Sequence, residues 1–268
     1  QGFKAAYLSG AGMSYFTYGI PDVGILELED VAHEVRKFHR VTDLPLFVDV
    51  DTGWQNAQQT VETLITCGAA GMHMEDQTAD KRCGHLDGKS LVSTADMCTR
   101  IEKAVEGKTS GPNKDKDFMV MARTAALAVE GFEATLDRME AYVKAGADAI
   151  FAEAMTDIDH YKQIRQRLGA DVPLLANITE YGKTDLYTRD ELAEADVDMM
   201  LMPVSLNRAM HGLVPGWLEE IQKTGTTKGL VARAEIKPRS AYSQLIDYDP
   251  KHDNRESVQA RLNARASN

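Results

Sequence analysis

The sequence predicts an α/β protein, a parallel (β/α)8-type barrel lacking its first strand and helix. Short apolar runs rich in Val, Ile, Leu and Met alternate with longer segments of helical period, the pattern of repeated βα units around a parallel sheet. The runs number seven and the first starts almost at Gln1, which suits a barrel of eight with one unit absent ahead of it. No GxGxxG turn follows the first run, so the rival, an open doubly wound sheet, has little support.

In chain order the predicted strands are Ala5–Ser9, Leu46–Asp51, Gly71–Asp76, Phe118–Thr124, Ala149–Ala154, Leu174–Ile178 and Met199–Pro203. Between them, Leu28, Val31, Val35 and Phe38 recur at spacings of three and four, as do Phe132, Leu136, Met139 and Val143. Each set therefore lies on one helix face and is expected to point at the core. From about Gly229 the βα rhythm stops and the chain turns rich in Arg, Ala, Asn, Asp and Ser. The expected organisation is a barrel over 1–228 and a tail or helical extension over 229–268 that docks or frays.

A formal charge of −11 disfavours nucleic acid, whose phosphates want a basic face, and leaves small molecules as the expected partners. Cys67, Cys83 and Cys98 form no CxxC pair, and their odd number argues against a complete disulfide framework and for a reducing compartment. No run of 18 apolar residues and no basic-then-apolar start is present, so neither a membrane span nor a signal peptide is expected. The expected location is the cytoplasm.

The acidic residues fall at strand ends. Asp49 and Asp51 end one strand as VDVDTG, Glu75 and Asp76 end the next as HMEDQ, and Glu153 ends another as FAEA. In a parallel barrel these ends share one mouth, where the carboxylates should converge. Converging carboxylates repel unless a cation sits among them, and hard oxygen donors suit Mg²⁺, with Mn²⁺ as the alternative. The competing reading for any one of them is a helix cap or an ion pair. Directly after the ED strand end comes Lys81-Arg82-Cys83-Gly84-His85, where basic neighbours should stabilise a thiolate and place Cys83 to move a proton. Cys67 and Cys98 fall in helical stretches and read as packing residues. Ser9-Gly10-Ala11, Arg123 and Asn177 with Thr179 supply donors for substrate carboxylates, Arg123 as a bidentate fork.

With YLSG, GIPDVG, DVDTG, MEDQ, KRCGH, ART and ANITEYGKT in that order, the chain resembles the isocitrate lyase and phosphoenolpyruvate mutase superfamily, in its cysteine-bearing lyase branch. The resemblance implies a barrel with Mg²⁺ at its mouth and carboxy-terminal helices exchanged between subunits of a homotetramer. It implies that Asp49 binds the metal, with Asp51, Asp22 and Glu75 holding it partly through water. Ser9, Gly10, Ala11 and Arg123 would take the oxo-acid carboxylate, Asn177 and Thr179 the succinate part, Lys81, Arg82, Gly84 and His85 would line the substrate, and Glu153 would complete the polar shell. Phe151, Leu201 and Pro203 are smaller than the aromatic walls of isocitrate enzymes and imply room for one extra methyl group.

The implied activity is cleavage of a small tricarboxylate, 2-methylisocitrate, to pyruvate and succinate, with Cys83 as the proton donor and Arg123 and Glu153 in the catalytic set. Alternatives are a related enzyme acting on oxaloacetate or dimethylmalate, or a barrel that binds a dicarboxylate without turnover. The last is motivated by Ala125, where ART is normally followed by aspartate, and by the short stretch Trp54-Gln55-Asn56 after DVDTG.

Overall fold

A computed structural model describes residues 2–79, 81 and 88–265. The elements run β1 (Ala6–Leu8), α1 (Gly10–Gly12) continuing as a π-helical stretch (Met13–Tyr18), α2 (Leu28–His39), β2 (Leu46–Asp49), α3 (Ala57–Cys67), β3 (Gly71–Glu75) and α4 (Thr94–Ser110). They continue as β4 (Met119–Thr124), α5 (Leu127–Glu130), α6 (Phe132–Lys144), β5 (Ala149–Ala152), α7 (Ile158–Leu168), β6 (Leu174–Asn177), α8 (Arg189–Glu194) and β7 (Met199–Leu201). Last come α9 (Ser205–Thr224), α10 (Lys228–Ala232), α11 (Arg239–Leu245) and α12 (Arg255–Arg265). Two compact units result, one from the chain up to His39 and from Asp43 to Val204, the other from Arg40–Thr42 and the chain from Ser205 onward.

Local chemistry sets the helix ends. Asn56 caps α3 by accepting from the Gln59 amide at 3.1 Å, Ser93 caps α4 through the Asp96 amide at 3.1 Å, and Thr188 with Glu191 forms a capping box on α8. In the predicted helix of residues 28–38, Val31 and Val35 are buried, and in that of residues 132–143 Leu136 and Met139 are buried, as the spacing required.

All seven strands are parallel and follow chain order from β1 to β7. Two rows of the register place the site. Asp49 lies beside His73, His73 beside Met121 and Met121 beside Ala149; one step further along, Glu75 lies beside Arg123, Arg123 beside Phe151, Phe151 beside Leu175 and Leu175 beside Met199. Since side chains alternate along a strand, both rows face the same side of the sheet. On that side Met121, Ala149, Phe151 and Leu175 form a small apolar cluster that Phe47 of β2 and Leu201 of β7 both join. The sheet curls into an incomplete barrel with this cluster on its inner face. The opposite residues, Val48, Met72, Met74, Val120, Ile150 and Leu174 among them, build the larger core against the helices.

Six of the seven strands end one or two residues earlier than predicted, while β4 ends at Thr124 as predicted. After Asp49 the chain turns through Asp51 at φ 49° and Gly53 at φ 81°, and a Cβ at Gly53 would run into the Met74 sulfur. After Ala152 it turns at Ala154, φ 56°. Among the described residues no helix is long and apolar enough to cross a membrane.

Candidate active site

The period of two along β2, β3 and β4 brings Asp49, Glu75 and Arg123 to the inner face at the carboxyl ends of adjacent strands, and Glu153 follows directly after β5. Arg123 lies between two acids: Nη2 is 2.6 Å from Glu153 and Nε is 3.3 Å from Glu75, while its guanidinium stands over the Phe151 ring at 5.0 Å. Burial would lower the Arg123 pKa, but Glu153, Glu75 and Asp49 raise it well above its ordinary value. Glu75 itself is raised, chiefly by burial, and takes a hydrogen bond from Gln77 Nε2 at 3.0 Å. Asn177 donates to Glu153 at 3.3 Å.

Asp49 is held in place by the main chain. Gly10 N donates to its Oδ2 and Asp51 N to its Oδ1, each at 3.1 Å. A Cβ on Gly10 would come within 2.9 Å of Asp49 Oδ2, so this close approach needs glycine. Burial works to raise Asp49, but His73, Lys81 and Arg123 outweigh it and keep the carboxyl below its ordinary value. Asp51 goes the other way, pushed up to about 7 by burial and by the neighbouring Asp49. Lys81 pairs with Asp51 and, at 2.6 Å, with Asp22; burial alone would lower its pKa, but the surrounding carboxylates raise it and keep it charged.

Behind Asp49 lies a polar pair that the sequence reading missed. Tyr7 OH and His73 Nε2 are 2.7 Å apart with rings stacked, and Tyr7 OH is 3.4 Å from Asp49 Oδ2. Burial pushes His73 down to about 4, so it is neutral near pH 7. The arrangement is met if Nε2–H donates to the phenol and the phenol donates to Asp49. The signal was present in HMED: His73 precedes Glu75 by two and so shares its face.

The structure places the remaining predicted residues as follows. Ser9 caps α1, accepting from Gly12 N at 3.1 Å, and Gly10 N is committed to Asp49, with Ala11 between these two amides in the first turn. Phe151, Asn177 and Thr179 are buried, and Leu201 and Pro203 are half-buried. Arg82, Cys83, Gly84 and His85 lie outside the described residues; on either side of them Gln77 pairs with Leu91 and Thr78 N donates to Ser90 O at 2.9 Å.

One expectation is corrected. Asp76 does not join the carboxylates at the mouth: it comes one residue after Glu75, so it faces outward, where it accepts from Thr124 Oγ1 at 2.6 Å, Tyr142 OH at 2.8 Å and Ala125 N at 3.0 Å. Nor do Asp49, Asp51, Asp22 and Glu75 by themselves form a closed cage. Among the described residues no three His, Cys, Asp or Glu side chains stand close enough to enclose a metal, because the Lys81 ammonium takes the place between Asp22 and Asp51. The donor set still suits a hard cation. The carboxylates of Asp22, Asp49, Asp51, Glu75 and Glu153 face the two cations Lys81 and Arg123, and Asp51 is raised by burial first and by the neighbouring Asp49 second.

Comparison with known proteins agrees with this geometry. A model of the phosphoenolpyruvate phosphomutase family matches residues 1–222. A 2-methylisocitrate lyase of Shewanella oneidensis is 46% identical over 253 residues, covering 92% of this chain and 84% of that protein. The crystal structure of 2,3-dimethylmalate lyase, a PEP mutase/isocitrate lyase superfamily member, superposes with a TM-score of 0.79 at 33% identity over 85% of this chain and 75% of that one. Phosphonopyruvate hydrolase, solved with oxalate and Mg²⁺, has a TM-score of 0.74 at 25% identity, over 99% of this chain and 86% of that one. Matched by the family model along most of its length and by relatives at this identity over most of theirs, the chain belongs to the phosphoenolpyruvate phosphomutase family, within the PEP mutase/isocitrate lyase superfamily.

Proposed function

We propose that this chain is a carbon–carbon lyase that cleaves 2-methylisocitrate to pyruvate and succinate with the help of Mg²⁺, Mn²⁺ being the alternative ion. The observation that carries the reading is the inward row of Asp49, Glu75, Arg123 and Glu153 at the strand ends, beside Lys81 and Asp51. The name of the 46% identical relative supports the substrate. Asp49, with Asp51, Asp22 and Glu75 through water, would hold the metal, which when bound neutralises charge on the hydroxyl oxygen as it becomes a carbonyl.

The chain's own groups do the rest. Arg123, fixed by Glu75 and Glu153, receives the oxo-acid carboxylate with the help of Ser9 and the Ala11 amide. A base takes the hydroxyl proton, the electron pair of that O–H bond forms the carbonyl, and the C–C bond breaks toward the succinate side. The electron pair left on the succinate carbon is spread into its carboxylate, which Asn177 and Thr179 would receive. Cys83 then gives that carbon its proton. Phe151, Leu201 and Pro203 line the side where the extra methyl sits.

Two further parts of the reading concern context. We take the chain to work in the cytoplasm as a homotetramer; self-association is supported by α9, a helix of 20 residues that buries none of its own residues and exposes Leu206, Met210, Leu213 and Leu218 along one side. A second copy covering that face would remove them from water. The test of substrate is pyruvate release by the purified protein offered 2-methylisocitrate, isocitrate and 2,3-dimethylmalate in parallel. Preference for 2-methylisocitrate is expected; preference for 2,3-dimethylmalate would transfer the function to that of its structural relative.

A further inference from the structure

Asp76 is a buried carboxylate that the reaction does not use. Its two oxygens receive three donors, Thr124 Oγ1, Tyr142 OH and Ala125 N, and its main chain is tied on both sides, the amide to Arg123 O at 3.2 Å and the carbonyl to Val92 N at 2.9 Å. Arg138 closes the arrangement. Its Nη1 donates to Val92 O and to Tyr142 OH, each at 3.0 Å, and stands 3.6 Å from Asp76, while Glu130 grips its other edge with two bonds of 2.7 Å. Three segments thus meet at one residue: the end of β3 just past Glu75, the end of β4 just past Arg123, and the chain at Val92 ahead of α4.

We propose that Asp76 is a positioning residue, which sets the strand end carrying Arg123 and the segment at Val92 against the strand end carrying Glu75. A buried charge of this kind is weak evidence for stability, since a neutral, well-packed group often does as well. Its distinctive capacity is to accept several donors at once. Asparagine has the same shape but one acceptor oxygen, so Asp76→Asn must turn an NH2 group either toward the Ala125 amide or toward the two hydroxyls. In the first orientation the Ala125 bond is lost; in the second Thr124 and Tyr142 must accept where they now donate, and their own O–H groups lose the carboxylate, so either way the clamp at the exit of β4 is weakened next to Arg123. Glu75 keeps its ladder and its bond from Gln77.

The proposal rests on the lyase reading for its rate measurement, so a second readout is independent of turnover: calorimetric binding of Mg²⁺, then of oxalate as a probe of the Arg123 site. For Asp76→Asn we expect kcat to fall by about 10–100-fold and oxalate affinity by about tenfold, with Mg²⁺ affinity within about threefold of the parent. Thr124→Val removes one donor of the same clamp at nearly constant volume and should show the same pattern at several-fold size. Parent-like kcat and oxalate affinity per folded molecule, with only the melting temperature lowered, would overturn the proposal. If Asp76→Asn does not fold, Thr124→Val decides it by the same criteria. If the parent releases no pyruvate, the lyase reading fails while the oxalate titrations still decide the role of Asp76.

Discussion

Arg123 is the pivot of the inner charge row, and replacing it with methionine gives a prediction whose size follows from the geometry. The guanidinium is 2.6 Å from Glu153 and 3.3 Å from Glu75, both of which are about 1% exposed. With an effective dielectric near 20, the gross attractions are about 6 and 5 kcal/mol. Methionine also removes the cost of burying the guanidinium, and breaking buried pairs from one side costs about 3–5 kcal/mol net. At about 2–4 °C per kcal/mol for a domain of this size, Arg123→Met should melt roughly 6–20 °C below the parent and yet fold. The pH dependence carries a definite sign. Glu75 is already raised above 4.5 by burial against the lowering influence of Arg123, so loss of Arg123 raises it further. Carboxyls raised in the folded state bind protons more tightly there than in the unfolded chain, so the penalty is largest above their folded pKa and shrinks as they protonate. Urea denaturation of parent and variant from pH 7.5 to pH 5 should show the gap narrowing. Equal stabilities at pH 7.5, or a gap that stays constant on acidification, would refute the reasoning.

Three further outcomes are expected. Gly10→Ala brings a methyl group within 2.9 Å of Asp49 Oδ2, and calorimetry should show Mg²⁺ affinity lowered by at least about tenfold, whereas unchanged affinity would mean Asp49 is not the metal's direct ligand. Cys83→Ser should lower kcat by a factor of about 10²–10⁴ with little change in substrate affinity, while Cys67→Ser and Cys98→Ser, in α3 and α4, stay near the parent; parent-like turnover in Cys83→Ser removes the thiol from the mechanism. His73, lowered from 6.5 to about 4 by burial, binds protons less readily folded than unfolded, so its part of the stability is present above pH 6.5 and is lost toward pH 4, by up to about 3 kcal/mol. Glutamine at this position does not titrate, so His73→Gln should lack that acid limb, and parallel decline of parent and variant would contradict it.

Much of the fold was legible because its signal is periodic. Seven apolar runs gave seven strands, and the alternation within them put Asp49, Glu75 and Arg123 on one face. The same alternation, applied one residue further, would have turned Asp76 outward; reading Glu75 and Asp76 as one acidic unit hid that. Tyr7 and His73 were missed because lone aromatic residues in apolar runs read as core, and only the register shows that they meet. Lys81 was read as part of the electrostatic setting of a cysteine, whereas its ammonium turns to Asp22 and Asp51, contacts across 59 and 30 residues of chain that no local pattern encodes. Gly10 was taken as a substrate donor because glycine loops commonly serve anions; here its amide holds Asp49 instead.

The central claim is that the carboxylates at the mouth work around a divalent cation to cleave a C–C bond. It is tested most directly by following pyruvate release from 2-methylisocitrate with EDTA-stripped protein as Mg²⁺ is added back. The account predicts no turnover in the stripped protein and saturable recovery with Mg²⁺, absent in Asp49→Asn. Full turnover without metal, or recovery in Asp49→Asn equal to that of the parent, would contradict it.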